Sequence, residues 1–124
     1  MKQFLLVFIG GGFGSGLRYI IGKYLNSSET GIPYGTFAAN IIGSLLIGVI
    51  LGLAAKNDAL SQNQTLLLAT GFCGGFTTFS SFAYNNLTMI KEHSFAQLLW
   101  NVGGSLFLGI LAVYLGMILI KAIF

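Results

Sequence analysis

Four apolar stretches, each about as long as the roughly 20 residues a helix needs to cross a bilayer, take up most of the chain. They run from about Phe4 to Leu25, Tyr34 to Ala55, Thr65 to Ile90 and Phe95 to Ile123, with short polar turns between them, and Pro33 stands where the second helix would begin. Six Lys/Arg and three Asp/Glu make only 7% of the residues charged, against about 25% in a soluble domain. That is too little to clothe a water-soluble globule, and the mean hydropathy of +0.84 agrees. The expected fold is all-α and integral to the membrane, with residues 1–124 forming a single four-helix transmembrane domain. Met1-Lys2-Gln3 followed by Phe4–Ile9 has the outline of a signal peptide, but the apolar pattern resumes after Arg18 and reads as one continuing helix.

Charge excludes several functions. The cations are scattered singly, so no patch or stripe exists for nucleic acid. Cys73 is the only cysteine, which precludes an intrachain disulfide or a metal cluster, and Gly10–Gly16 fits no nucleotide-binding pattern. With no catalytic constellation in view, the chain does not read as an enzyme. Across four spans, Lys2, Lys56 and Lys121 fall on one side and Arg18, Lys23 and Lys91 on the other. The positive-inside bias is therefore zero, which permits insertion in both orientations and an antiparallel dimer across the membrane.

Glycines recur four apart at Gly10/Gly14, Gly12/Gly16, Gly48/Gly52 and Gly71/Gly75, the spacing that brings helix backbones close. The third stretch also carries Gly74-Gly75-Phe76-Thr77-Thr78, which invites the helix to break near Gly74–Thr78. Carbonyls freed from Gly74 to Thr77 would suit a hard cation, and amides freed at the next half-helix would suit an anion. The alternative is an unbroken helix whose Thr hydroxyls bond back to the preceding turn. Beyond the break, Phe76, Phe79 and Phe82 form an aromatic row beside Ser80, Ser81, Tyr84, Asn85 and Thr88. Asn40 and Ser44 share a face with Gly48, and Asn101 and Ser105 share one with Gly109 and Ala112. Glu29, Asp58, Glu92 and His93 all lie outside the spans, so proton relay is disfavoured. Neutral N–H and O–H donors beside positive ring edges suit a small, hard, partly dehydrated anion, with Arg18 at the membrane edge to raise the local potential or clamp a helix end.

These residues resemble the Fluc/CrcB family of fluoride channels over essentially the whole chain. The resemblance rests on Gly11-Gly12-Phe13-Gly14-Ser15-Gly16-Leu17-Arg18-Tyr19, Gly35-Thr36-Phe37-Ala38-Ala39-Asn40-Ile41-Ile42-Gly43-Ser44 and Gly71-Phe72-Cys73-Gly74-Gly75-Phe76-Thr77-Thr78-Phe79-Ser80-Ser81-Phe82. It implies a dual-topology homodimer in the cell (inner or plasma) membrane, in contact with lipid, with two antiparallel fluoride pathways. A central structural sodium ion would be held by the Gly74 and Thr77 carbonyls. Phe79 and Phe82 would form an aromatic box with the Asn40 amide beside it, Ser80, Ser81, Ser105 and Asn101 a polar track, and Arg18 the first-helix arginine of the pathway. This chain has Asn101 where many relatives have Tyr, and Asn85 where a Glu is common. The leading expectation is passive export of cytoplasmic fluoride. The alternative, a small dual-topology multidrug-type exporter, needs a membrane-embedded carboxylate that the spans lack, and a purely structural membrane protein would leave the Phe and Ser/Thr rows unexplained.

Overall fold

The computed structural model describes residues 1–26, 31–56 and 59–124, and all regular structure among them is helical. The first helix, α1, spans Lys2–Leu25 and α2 spans Tyr34–Ala54. The third span, Gln62–Lys91, is interrupted. Its first part, α3 (residues 62–76), opens with an α-turn at Gln62–Thr65, continues in wider π-helical winding over Leu66–Cys73 and ends in Gly74–Phe76. Its second part, α4, is Phe79–Lys91, and α5 spans Phe95–Ile123. Four helices are thus long and apolar enough to cross a membrane. Glu29 and Asp58, expected in the turns, lie outside the described residues.

Side-chain capping fixes where the helices begin. Pro33 caps α2 but offers no side-chain acceptor, and Asn26, at the end of α1, supplies one: its Oδ1 accepts from the amides of Gly35 (2.8 Å) and Thr36 (3.2 Å). Ser61 and Gln64 form a reciprocal capping box that starts α3. Between α4 and α5, His93 takes a left-handed φ of 56°, and the Ser94 amide reaches back to the Met89 carbonyl at 2.8 Å. That turn folds α4 and α5 into an antiparallel hairpin.

The helices meet through glycine. α1 runs along α3: a Cβ on Gly10 would strike the Leu67 carbonyl, one on Gly14 the Phe72 carbonyl, and one on Gly75 the Gly11 carbonyl. α2 pairs chiefly with α5, where Gly48 abuts the Val113 carbonyl and Gly116 the Leu45 carbonyl. Of the expected glycine pairs, only at Gly12 and Gly16 would an added Cβ meet nothing within 4 Å.

The interior so formed is small. Its buried apolar residues are Ala39, Ile50, Ala69, Cys73, Phe76, Met89, Ala112 and Ile120, whereas Trp100, Phe107, Ile110 and Phe79 stand on the outside. Such a distribution suits a hydrocarbon solvent, in which apolar side chains need not be hidden and only backbone polar groups must be satisfied internally.

Candidate functional site

The span breaks at Thr77–Thr78, inside the expected segment but just beyond the glycines. Gly74 and Gly75 stay helical, while Thr77 (φ −90°, ψ 154°) and Thr78 (φ −148°, ψ 123°) are extended. Both local tendencies read from the sequence operate at once. The Thr77 hydroxyl does bond back, donating to the Cys73 carbonyl at 2.8 Å, and that carbonyl also takes the Thr77 amide at 3.0 Å. The chain nonetheless leaves the helix, because Thr78 caps the next one: its Oγ1 accepts from the Ser81 amide at 3.2 Å and lies 3.3 Å from the Ser80 hydroxyl.

Unwound backbone at this depth must find partners. Two distant side chains supply them. Asn40 grips Thr78 on both polar groups, Oδ1 accepting from the Thr78 amide at 2.8 Å and Nδ2 donating to the Thr78 carbonyl at 3.2 Å. From α1, the Arg18 Nε–H donates to the Gly75 carbonyl at 3.0 Å. Arg18 therefore clamps the C-terminal end of α3, where the helix dipole favours a cation, rather than leaning out to the interface.

Diverting these donors frees two carbonyls. The Thr78 amide, which would close on Gly74 in a continuous helix, goes to Asn40; the Ser81 amide, which would close on Thr77, goes to the Thr78 hydroxyl. Gly74 and Thr77 each lose that helical donor, and both residues line a common cavity. Their oxygens are hard, neutral ligands of the kind a sodium-sized ion takes. Among the described residues no cluster of three His, Cys, Asp or Glu side chains exists to bind a metal in another way. The donor set therefore fits an alkali cation, with Gly75 withheld by Arg18.

The cavity, about 400 Å³, is walled by Asn40 and Ser44 of α2, by Gly74, Thr77 and Thr78 at the break, by Phe79 and Phe82 of α4 and by Ser105 of α5. The Phe79 and Phe82 rings lie 5.9 Å apart at 45°. Phe79 is 79% exposed, so one side of the aromatic pair is unwalled by this chain. Ser105 Oγ is buried without a hydrogen-bond partner, a costly state for a hydroxyl unless something occupies the space before it. Ser44 Oγ donates to the Asn40 carbonyl at 2.7 Å.

Of the residues expected in a pathway, Asn40, Phe79, Phe82 and Ser105 are brought together here. Ser80 and Ser81 sit at the α4 cap and do not line the cavity, Asn101 instead donates from Nδ2 to Asn86 Oδ1 at 2.7 Å, and Arg18 lies off the cavity at Gly75. Two residues of the site and its surroundings, Ser44 and Asn86, are ones that sequence pattern alone does not mark as site residues. The signal for Ser44 was its place one turn from Asn40; for Asn86 no sequence pattern pointed to Asn101.

Comparison with known proteins adds the following. The family description "CrcB-like protein, Camphor Resistance (CrcB)" matches residues 5–117. A protein of Gloeothece citriformis named fluoride-specific ion channel FluC is 47% identical over 122 residues, covering 98% of this chain and 98% of that protein. Proteins of the same name from Oceanobacillus iheyensis (43% over 116 residues; 94% of this chain, 89% of that one) and Phocaeicola vulgatus (43% over 117 residues; 94% and 96%) are similarly close.

Proposed function

The chain belongs to the CrcB-like family, and from that premise we propose that it is a fluoride-selective passive channel through which cytoplasmic fluoride leaves the cell. With four helices able to span a bilayer it is a multi-pass membrane protein, and its family is one of ion channels rather than enzymes. One observation carries the reading: at the break a cavity gathers the Ser105 hydroxyl, the Asn40 amide and two Phe rings, with no acidic side chain among its walls. A small anion gives up tightly held water only if several donors replace it at once, and weak neutral donors let it leave again. O–H, N–H and ring-edge C–H groups meet both demands, where a fixed cation would trap the ion. The multidrug-exporter alternative lacks the membrane-embedded carboxylate it needs.

Two such chains, paired antiparallel, complete the arrangement in this reading. Support comes from the equal division of cations between the two sides and from the open flank of Phe79, which a second copy would wall. In that homodimer, set in lipid, each copy contributes one pathway. The Gly74 and Thr77 carbonyls of both copies would hold a central structural sodium ion, whose charge would tie the two breaks together. Asn40, Phe79, Phe82 and Ser105 act in the pathway, with Ser80, Ser81 and Asn101 along its continuation; Arg18 acts at the break.

Fluoride efflux from liposomes holding the purified protein, followed with an ion-selective electrode beside a chloride control, tests the function. Fluoride should leave rapidly and chloride should not; absent or equal flux would refute the channel. Phe82→Ile, which keeps apolar bulk but removes the positive ring edge, should cut fluoride efflux about tenfold or more, a barrier increase of about 1.4 kcal/mol. The dimer should survive on size-exclusion chromatography. Lost assembly with normal flux in the remaining dimer would instead assign Phe82 to packing.

The cation has its own test. Preparing the protein with sodium wholly replaced by a bulky organic cation, with time allowed for exchange from a buried site, should weaken the dimer and lower efflux. Indifference of both would remove the ion from the account.

A further inference from the structure

One helical turn beyond the cavity, two side chains meet that neither lines it nor belong to the break. Phe82 of α4 and Ser105 of α5 both line the cavity. Because the two helices form an antiparallel hairpin, four residues onward along α4 and four residues back along α5 stay side by side. Those positions are Asn86 and Asn101, and they join: Asn101 Nδ2 donates to Asn86 Oδ1 at 2.7 Å. Both side chains are half-buried. α4 otherwise packs lightly on this chain, and it carries polar groups at Ser80, Ser81, Asn85, Asn86 and Thr88.

The chemistry of the pair is asymmetric. Two carboxamides together hold four N–H hydrogens and two carbonyl oxygens. The bond uses one hydrogen of Asn101 and one of the two lone pairs on the Asn86 oxygen. What the pair still offers is the remaining Nδ2 hydrogen of Asn101, both Nδ2 hydrogens of Asn86, the Asn101 carbonyl and the second lone pair of the Asn86 oxygen. Left free, the Asn101 amide could rotate and turn its oxygen toward the seam, which would repel an anion. With Nδ2 tied to α4, the nitrogen end stays in the seam that leads to Ser105.

We propose that Asn86 is a positioning residue for anion conduction. It fixes the Asn101 carboxamide nitrogen-inward and so makes the segment of the pathway beyond Ser105 a donor surface. The inference rests on the fluoride-channel reading and deepens it. It gives Asn86 a role exerted through Asn101, without contact between Asn86 and the ion at the cavity.

The experiment is a mutant cycle read by flux in the full-length protein: wild type, Asn86→Leu, Asn101→Leu and the double variant, each reconstituted at matched dimer content. Leu approximates the size of Asn and can make no hydrogen bond. Asn86→Leu should lower fluoride efflux about fivefold to tenfold with the dimer peak unchanged, and the double variant should conduct no less than Asn101→Leu alone. Asn86→Gln, which keeps the acceptor on a longer arm, should recover most of the wild-type rate. A purely structural Asn86 would behave otherwise: efflux per dimer would be unchanged, or the two losses would multiply in the double variant, and either result overturns the proposal. Wild-type protein without fluoride flux would overturn the channel reading itself, so the two failures are distinguishable. Should Asn86→Leu fail to assemble, Asn86→Ala and Asn86→Gln give the same comparison, and equal efflux from those two variants would count against the role.

Discussion

Asn40→Leu should abolish fluoride efflux. The substitution removes both side-chain bonds to Thr78, leaving its amide unpaired at membrane depth, while its carbonyl, at the N-cap of α4, keeps the first bond of that helix. An unpaired amide there costs about 1–3 kcal/mol, and the break stands to lose about that much. Among the described residues no other single side chain bonds two main-chain groups of the break. Without that grip the Thr78 amide regains Gly74 as its nearest acceptor, and α4, with Phe79 and Phe82 on it, turns away from the cavity. Asn40→Asp isolates the orientation effect. It still accepts from the Thr78 amide, but it sets a second oxygen against the Thr78 carbonyl and a negative charge beside the path. Its efflux should fall at least as far. Rates near wild type for Asn40→Leu, measured in liposomes at matched dimer content, would show that the break holds without Asn40.

Gly14→Ala is the second large effect, and it should appear as lost folded protein. The added Cβ would meet the Phe72 carbonyl oxygen and would come within 2.8 Å of the Phe76 amide nitrogen. Both are backbone atoms of α3, which cannot turn aside as a flexible side chain can. α1 must therefore back away, at about 1–3 kcal/mol for one inserted methyl group. The cost spreads, because Arg18 sits one turn beyond Gly14 and would be drawn off the Gly75 carbonyl. Expected readouts are a lower unfolding temperature in detergent and a smaller monodisperse peak. Gly12→Ala, two residues away with nothing within 4 Å, should match wild type within this chain's own packing, since Ala favours helix over Gly by about 1 kcal/mol. Equal loss in both variants would refute close α1–α3 packing as the cause.

What was legible in the sequence was what local pattern dictates. Span limits followed from hydropathy and Pro33, and glycines at helical spacing marked where backbones come close, but not which helices pair. The break was located to a few residues because Gly-Gly and Thr-Thr both weaken a helix. Its position two residues past the glycines depends on a competition between the Thr77 hydroxyl, which extends the first helix, and the Thr78 hydroxyl, which starts the second; composition cannot weigh these. Periodicity put Phe76, Phe79 and Phe82 in one row and Ser105 on a polar face; a pathway role for Phe79, Phe82 and Ser105 came from the family resemblance. The bonds from Asn40 to Thr78 and from Arg18 to Gly75 join residues 38 and 57 positions apart. No repeat or spacing encodes them. The π-helical winding of Leu66–Cys73 likewise left no compositional mark, and the Asn86–Asn101 bond needs the hairpin before it can be seen.

The pinned break also bears on time. A kink in a helix is commonly a place to bend, but bending here would have to release Asn40 from Thr78 at two points and Arg18 from Gly75. At about 1 kcal/mol net for each bond, a bent state lies about 3 kcal/mol up and is populated below about 1%. The interruption is therefore a fixed fitting and not a hinge. In the channel proposed here, the break supplies no gate of its own: bending at Thr77–Thr78 should add no pauses to the current.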